Sequence, residues 1–159
     1  MKNRNVLFKS IFASVLGCAV GFAVAGDTQN LTVNVTVQGT CKFFTPVQTL
    51  SFGTIDPSST AALTGSGATV SYKCTKGTLA TGVTLGNGLN FLSGSRRMGN
   101  GTDFIPYTLS LTGGAATGGG FGSGVAASAL TFTGGVAVAD FQNVSAGLYS
   151  DTVVMTLTP

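Results

Sequence analysis

Short segments in which apolar and polar residues alternate recur along this chain, and no long segment carries the period of an amphipathic helix. The clearest alternation covers residues 30–38, where Leu31, Val33, Val35 and Val37 are separated by polar side chains. Alternate residues of a β-strand point to opposite faces, so this segment is predicted to be a strand with one apolar and one polar face. The pattern as a whole predicts an all-β protein.

Further segments of the same kind are separated by Gly, Ser, Asn and Pro, which are typical of turns. Many short strands joined by turns indicate a β-sandwich or a β-barrel. The Gly-rich stretch 113–124 is predicted from its composition to be a flexible loop, and it lacks the motif of a phosphate-binding loop. Strands are predicted near residues 30–38, 40–45, 48–54, 67–75, 79–86, 104–112, 128–138 and 146–158.

The last predicted strand has its own apolar series, in which Val153, Met155 and Leu157 alternate with threonines and Val154. A strand in that position needs a neighbour on each side if its main chain is to be fully hydrogen-bonded. The sequence pattern therefore raises the question of which strand pairs beside it.

Residues 1–25 are predicted to be a secretory signal peptide. Three basic residues precede or flank the start of an apolar stretch from Ile11 to Val24, which ends in the small-x-small motif Ala23-Val24-Ala25. The stretch is shorter than the roughly 20 residues that a membrane-spanning helix needs. Cleavage after Ala25 and export from the cytoplasm are expected.

Cys18 leaves one alternative open, because Val15-Leu16-Gly17-Cys18 loosely resembles a lipoprotein cleavage site. The residues that follow Cys18 stay apolar, whereas a lipidated cysteine is normally followed by a polar linker. We therefore favour cleavage after Ala25 over lipidation of Cys18.

Removal of the signal peptide leaves five basic and five acidic residues, so the mature chain is neutral. The basic character of the full sequence then belongs to the export signal, and no nucleic-acid-binding surface is expected. Neutral proteins with few charges lack the repulsion that keeps many proteins monomeric. Association with other copies is the expected behaviour.

Catalytic function is disfavoured by the residues that the sequence lacks. Glu and His, the usual acid–base and metal-ligating residues, are absent, and the aspartates are isolated in sequence. We expect no enzyme activity, no catalytic residues, no metal site and no cofactor.

Cys41 and Cys74 remain after cleavage, and an even pair in an exported protein is expected to form a disulfide bond. Two free buried thiols are the alternative. The spacing of the pair does not fit a CxxC redox or zinc motif.

Two other groups of residues have a ligand-binding and a structural interpretation. Arg96-Arg97-Met98 suits an anionic sugar or lipid headgroup, but a basic spot in a loop that faces a carboxylate, of this chain or of a neighbouring one, is the favoured interpretation. Tyr72, Tyr107 and Tyr149 suit a sugar-stacking surface, but they fall inside predicted strands, so packing in the core is favoured.

Taken in order, several segments of the mature chain resemble the spore-coat-U-like subunits of archaic chaperone–usher pili. The resemblance covers nearly all of the mature chain, and the Gly-rich stretch 113–124 has no counterpart in it. The matching segments are the alternating residues 31–37, Gly39-Thr-Cys-Lys-Phe43, Leu50-Ser-Phe-Gly53, Val70-Ser-Tyr-Lys-Cys-Thr75, Arg97-Met98, Ile105-Pro-Tyr-Thr-Leu109 and Gly147-Leu-Tyr-Ser-Asp-Thr-Val153 with the strand that follows.

This resemblance implies an incomplete immunoglobulin-like β-sandwich that is completed by a donor strand from a neighbouring subunit. Residues 26–38 would be the donor-strand arm, with Leu31, Val33, Val35 and Val37 as its anchors, and residues 39–159 the pilin domain. Val153, Met155 and Leu157 would line part of the acceptor groove. The implied partners are other copies of the chain or related pilins, a periplasmic chaperone and an outer-membrane usher, in a cell-surface fimbrium for adhesion and biofilm formation.

A self-complete secreted β-sandwich, such as a coat protein or a carbohydrate-binding module, is the rival hypothesis. In that case segment 30–38 is an ordinary strand of its own domain, which is what its pattern alone favours. A two-domain tip adhesin is disfavoured, because the chain is too short for a second domain.

Overall fold

The structure is a computed structural model that describes residues 26–46 and 48–159. The chain divides into two units, Met1–Val35 and Thr36–Pro159. The predicted signal peptide lies outside the described residues. No helix in the described part of the chain is long and apolar enough to cross a membrane.

The described residues of the first unit, 26–35, form no helix and pair with no strand. Leu31, Val33 and Val35 are 87%, 82% and 88% exposed. Val37, at the start of the second unit, is 75% exposed. The strand predicted over residues 30–38 is therefore an unpaired segment whose four apolar side chains are exposed.

Nearly all the regular elements of the second unit are β-strands, as the alternation predicts. One short helix, α1, follows the sixth strand. The elements are β1 (Cys41–Phe43), β2 (Leu63–Cys74), β3 (Gly82–Leu85), β4 (Arg96–Gly99), β5 (Phe104–Thr112), β6 (Ser128–Val136), α1 (Val138–Phe141) and β7 (Met155–Thr158).

Five of the strands form one antiparallel sheet in the order β1-β2-β6-β5-β4, and the other two, β3 and β7, form a second antiparallel pair. Long β2 and β6 are the centre of the larger sheet, with Leu63 opposite Val136 and Tyr72 opposite Ser128. A register shift between Ser66 and Ala68 places Gly67 at a positive φ of 94°, a conformation that glycine adopts without strain.

The core lies between the two sheets. Val70, Tyr72 and Leu130 of the larger sheet are fully buried, and side chains of β3 and β7 pack against them. A second cluster around Ile105, Val136 and Phe141 fills the space near α1. The long strands β2 and β6 therefore turn their alternate buried residues towards the space between the sheets, which is the arrangement of a β-sandwich.

Besides the unpaired residues 30–38, the largest differences between the predicted and the observed strands are in three places, and β2 also begins at Leu63 rather than near residue 67. Segment 48–54 forms no strand, and the predicted strand 146–158 is reduced to β7, because neither stretch has a strand beside it over most of its length. Strand β4 was not predicted, since two adjacent arginines hide its alternation. Strand β5 has the predicted bounds.

Candidate functional site

An apolar groove of about 1100 Å³ lies within the second unit. Its floor is the inner face of the larger sheet, where Ala68, Val70 and Phe132 are buried. Residues 48–55 form one wall, and the segment from Val144 to Met155 lines the other side. A large apolar groove in a small domain indicates a site that binds an apolar partner.

The first wall is fixed by side chains rather than by strand pairing. Gly65 of β2 stands opposite Gly134 of β6, and the two leave a depression in the sheet. A Cβ atom at Gly134 would lie 2.8 Å from the ring of Phe52 and 2.9 Å from Leu50, so these two side chains fill the depression. The glycine pair therefore positions the wall against the sheet.

Much of the main chain on both sides of the groove lacks a strand partner, although Ser150 pairs with Gly99 and the carbonyl oxygen of Val154 accepts a hydrogen bond from Gly86. No hydrogen bond between main-chain groups joins residues 49–55 to the rest of the described chain, and the Gly53 N–H donates to the side chain of Ser51. On the opposite side, β7 pairs only with β3, and Thr152 and Val153 make no main-chain hydrogen bond within the described part of the chain. A strand laid in the groove would find unpaired N–H and C=O groups at both edges.

One corner of the groove is polar. The Tyr107 hydroxyl donates a hydrogen bond of 2.6 Å to Oδ2 of Asp151, and Oδ1 accepts one of 2.8 Å from the main-chain N–H of Leu89. Burial raises the pKa of Tyr107 above its ordinary value, and the hydrogen bond to the Asp151 carboxylate raises it further. Tyr107 thus stays neutral and ties strand β5 to the segment that leads into β7.

The groove residues expected from sequence are only partly those that line it. Val153 and Met155 are among the lining residues, whereas Leu157 lies further along β7 and packs against the core cluster. Sequence reasoning did not assign Leu50 and Phe52 to the site. Their alternation in Leu50-Ser51-Phe52 was a usable signal, but it was interpreted as an ordinary strand.

The expected disulfide joins Cys41 to Cys74, which are directly opposite each other in β1 and β2. Beside it, the Gly-rich stretch 113–124 is tied down rather than free. Gly118 accepts a hydrogen bond from Gly77 and donates one to Thr78, and Gly120 donates to Cys74. The stretch predicted to be a flexible loop is therefore hydrogen-bonded along the chain that follows β2.

The two alternative ligand sites are occupied by structural contacts. Arg96 donates to the carbonyl oxygens of Leu85 and Gly86, and Arg97 donates to Asn90 and stacks on the Phe104 ring at 4.3 Å. The Arg96 and Arg97 guanidinium groups therefore bind carbonyl groups and a ring of the same chain, and the two residues lie in strand β4 rather than in the expected loop.

The three tyrosines are packed as the favoured interpretation expects. Tyr72 is buried in the first core cluster and donates to the carbonyl oxygen of Gly114. Tyr107 and Tyr149 pack against the second cluster, and Tyr149 donates to the carbonyl oxygen of Ser145. Within residues 26–46 and 48–159, no group of three or more potential metal ligands comes together.

Comparison with solved structures supports the β-sandwich architecture. The crystal structure of the CsuC–CsuE chaperone–tip adhesion subunit pre-assembly complex, from the archaic chaperone–usher Csu pili of Acinetobacter baumannii, matches with a TM-score of 0.50 and 21% sequence identity. The match covers 77% of this chain but only 40% of that one, and at this identity it establishes the fold alone. No curated protein matches the sequence.

The family comparison covers most of the mature chain. The Spore Coat Protein U domain matches residues 27–156, a range that includes the exposed alternating segment, both cysteines of the disulfide and every strand up to the start of β7. Members of this family are structural subunits and not enzymes, in agreement with the expectation from composition. The chain therefore belongs to the Spore Coat Protein U domain family.

Proposed function

We propose that this chain is a pilin-like structural subunit that polymerises by donor-strand exchange into a chaperone–usher surface fibre. Residues 26–38 of one copy are the donor arm, and the apolar groove of the next copy is the acceptor. The observation that carries the proposal is the coexistence, in one chain, of a groove with unpaired edges and a segment with four exposed apolar side chains. An arm that adds a strand to an open edge is a known mode of peptide recognition.

The donor arm is matched to the groove in chemistry. Leu31, Val33, Val35 and Val37 share one face, and the opposite face carries Thr32, Asn34 and Thr36, whose polar groups are suited to water. The floor of the groove is apolar, with Val153 and Met155 at the edge formed by the last segment. Leu157 belongs to the same edge strand, although its side chain packs against the core.

The donor arm is also long enough. Residues 27–37 reach about 36–40 Å when extended, which is similar to the length of about 40 Å expected for the 12 residues of β2. Burial of four apolar side chains contributes roughly 6–12 kcal/mol, and main-chain hydrogen bonds add about 1 kcal/mol each. The exchange is therefore strong enough to hold subunits together.

An empty apolar groove is an aggregation hazard, so an unassembled subunit needs a partner that covers it. We assign that role to a periplasmic chaperone and the delivery of subunits to an outer-membrane usher. The similar solved structure is of a chaperone with a tip adhesion subunit, which supports this assignment. Head-to-tail donation is a contact that does not close on itself, so it produces a fibre suited to adhesion and biofilm formation at the cell surface.

Deletion of residues 27–37 tests the proposal. The truncated subunit should remain bound to its chaperone but form no fibres by electron microscopy, because it accepts a strand and donates none. The intact chain should give heat-labile ladders on a denaturing gel. Fibres from the truncated subunit, or a plain monomer from the intact chain, would contradict the assignment, and the monomer would favour a self-complete β-sandwich.

A further inference from the structure

Three of the five basic residues of the mature chain lie together at one end of the sandwich. Lys42 and Lys73 are directly opposite each other in β1 and β2, and Lys76 follows two residues after Cys74. Lys73 lies over the Phe44 ring, with Nζ 5.1 Å from its centroid. Lys42 and Lys76 are exposed, and their ammonium groups make no hydrogen bond or ion pair with another residue in the described part of the chain. We call this the lysine end.

Four of the five aspartates lie towards the other end of the larger sheet. Asp140 follows β6 within α1, and Asp103 immediately precedes β5, which runs antiparallel to β6. Asp56 precedes β2 in a turn near Gln142, and Asp151 lies beside Tyr107. We call this the aspartate end. Arg96 and Arg97 also lie in this half, but the four carboxylates outnumber them.

The opposition of Lys42 and Lys73 is not explained by the stability of the subunit, although Lys73 itself contacts the Phe44 ring and donates a hydrogen bond of 3.5 Å to the carbonyl oxygen of Gly122. Like charges directly opposite each other on neighbouring strands destabilise a sheet. Lys42 and Lys73 stand in that relation, and no carboxylate of the described residues lies within ion-pair distance of either. A pair of this kind is expected where a partner supplies the opposite charge.

The path of the chain decides which ends meet in a fibre. The donor arm leads directly into β1, so it is attached at the lysine end. In the acceptor, β7 begins on the side of Asp151 and ends at Thr158, near Thr81 and the lysine end. A donor strand antiparallel to β7 therefore brings its attached domain to the aspartate end, and a parallel one brings it to the lysine end.

We infer that the lysine end of each donor subunit docks on the aspartate end of its acceptor, a second copy of this chain. The inference rests on the proposed donor-strand exchange and adds to it a second contact, between charged ends, that fixes the direction of the inserted strand. Opposite charges attract in the antiparallel arrangement, whereas the parallel arrangement places lysine against lysine. Attraction of this type accelerates encounter and selects orientation.

Charge reversal in the full mature chain tests the inference. Lys42→Glu with Lys76→Glu should slow fibre growth at least about tenfold at low salt, and Asp56→Lys with Asp140→Lys should do the same. The four substitutions together exchange the charges of the two ends and should restore most of the rate. Ser110→Glu with Thr131→Glu is the control, since both positions are exposed on the outer face of the sheet between the ends.

Two further measurements distinguish loss of the contact between the charged ends from misfolding of the variants. Growth of the unmodified chain should slow as salt is raised, because the ends are solvent-exposed and the screening length falls to about 8 Å at physiological ionic strength. A synthetic peptide of residues 26–38 carries neither end, so its affinity for the groove should be the same in every variant.

Growth that is insensitive to salt and to both reversals, with normal peptide binding, would overturn the contact between ends and leave donor-strand exchange intact. Failure of the peptide to bind the unmodified chain would contradict both donor-strand exchange and the contact between charged ends, which rests on that exchange. Restoration by the four-fold variant alone, with each pair of substitutions slow, supports the contact directly.

Discussion

The same alternating pattern occurs in two regions of this chain with opposite outcomes. In β2, Ala68, Val70, Tyr72 and Cys74 are only 1–6% exposed, and their strand is paired on both sides. In the proposed donor arm, Leu31, Val33, Val35 and Val37 are 75–88% exposed, and their segment is paired with no strand of the described chain.

The difference shows what alternation specifies. An apolar residue at every second position favours burial of one face of a strand, but the pattern does not specify whether the same molecule or another one buries that face. The apolar face of β2 is buried inside its own domain. We propose that the apolar face of the donor arm is buried in the groove of another copy, where residues 49–55 and the segment before β7 still have unpaired main-chain groups.

The largest difference in behaviour between the two regions is expected when carboxylates are introduced on their apolar faces. Val70→Asp places an unpaired charge in the core and should destabilise the domain by more than about 4 kcal/mol, so that it fails to fold. Val33→Asp with Val35→Asp should leave the thermal unfolding of the domain unchanged and abolish fibres. Circular dichroism melting and electron microscopy measure the two effects.

The matched control lies on the other face of the donor arm. Thr32→Asp with Thr36→Asp adds the same charge where water remains, and it should still permit fibres. If the control and the valine variants assembled equally well, the apolar face would not be the part of the arm that binds.

The disulfide should give the next largest effect. It closes the chain over a separation of 33 residues between Cys41 and Cys74. Cys41→Ser with Cys74→Ser should lower the free energy of unfolding by roughly 3–4 kcal/mol, measured by chemical denaturation. An unchanged denaturation midpoint would show that the buried end of β2 does not need the link.

The Gly-rich stretch packs against the same end of β2. A substitution in this stretch should lower stability by less than loss of the disulfide does. A Cβ at Gly118 would press against the carbonyl oxygens of Cys74 and Thr75, so Gly118→Ala should cost about 1–3 kcal/mol of stability. At Gly122 the nearest atom would lie 3.7 Å away, on Val125, so Gly122→Ala is the control and should be nearly neutral. Equal melting temperatures for the two variants would contradict the packing described for Gly118.

The polar corner of the groove should give the smallest effect. Tyr107→Phe removes the hydrogen bond to Asp151 and should lower stability by about 1 kcal/mol at neutral pH. Because folding raises the pKa of Tyr107, its contribution is present below the ordinary tyrosine pKa of about 10 and is lost as the pH rises above it. The difference in melting temperature between the two proteins should therefore shrink above about pH 10; a constant difference would contradict this.

The sequence predicted those features that depend on local pattern. The bounds of β5 and the disulfide partners followed from alternation and from the cysteine count. Leu50 and Phe52 were missed as a groove wall, because their position depends on the pairing of Gly65 with Gly134, which are far apart in sequence. The two charged ends were missed for the same reason, since strand register brings Lys42 beside Lys73.

The most direct test of the central claim is a cross-link between copies. An isotopically heavy chain carrying a photo-reactive residue in place of Val33 is assembled with an excess of light, unmodified chain, irradiated and analysed by mass spectrometry. We predict cross-links from the heavy donor arm to light peptides that contain residues 49–55 or 148–157. Cross-links confined to heavy peptides of the same chain would show that the donor arm fills its own groove, and would contradict donor-strand exchange.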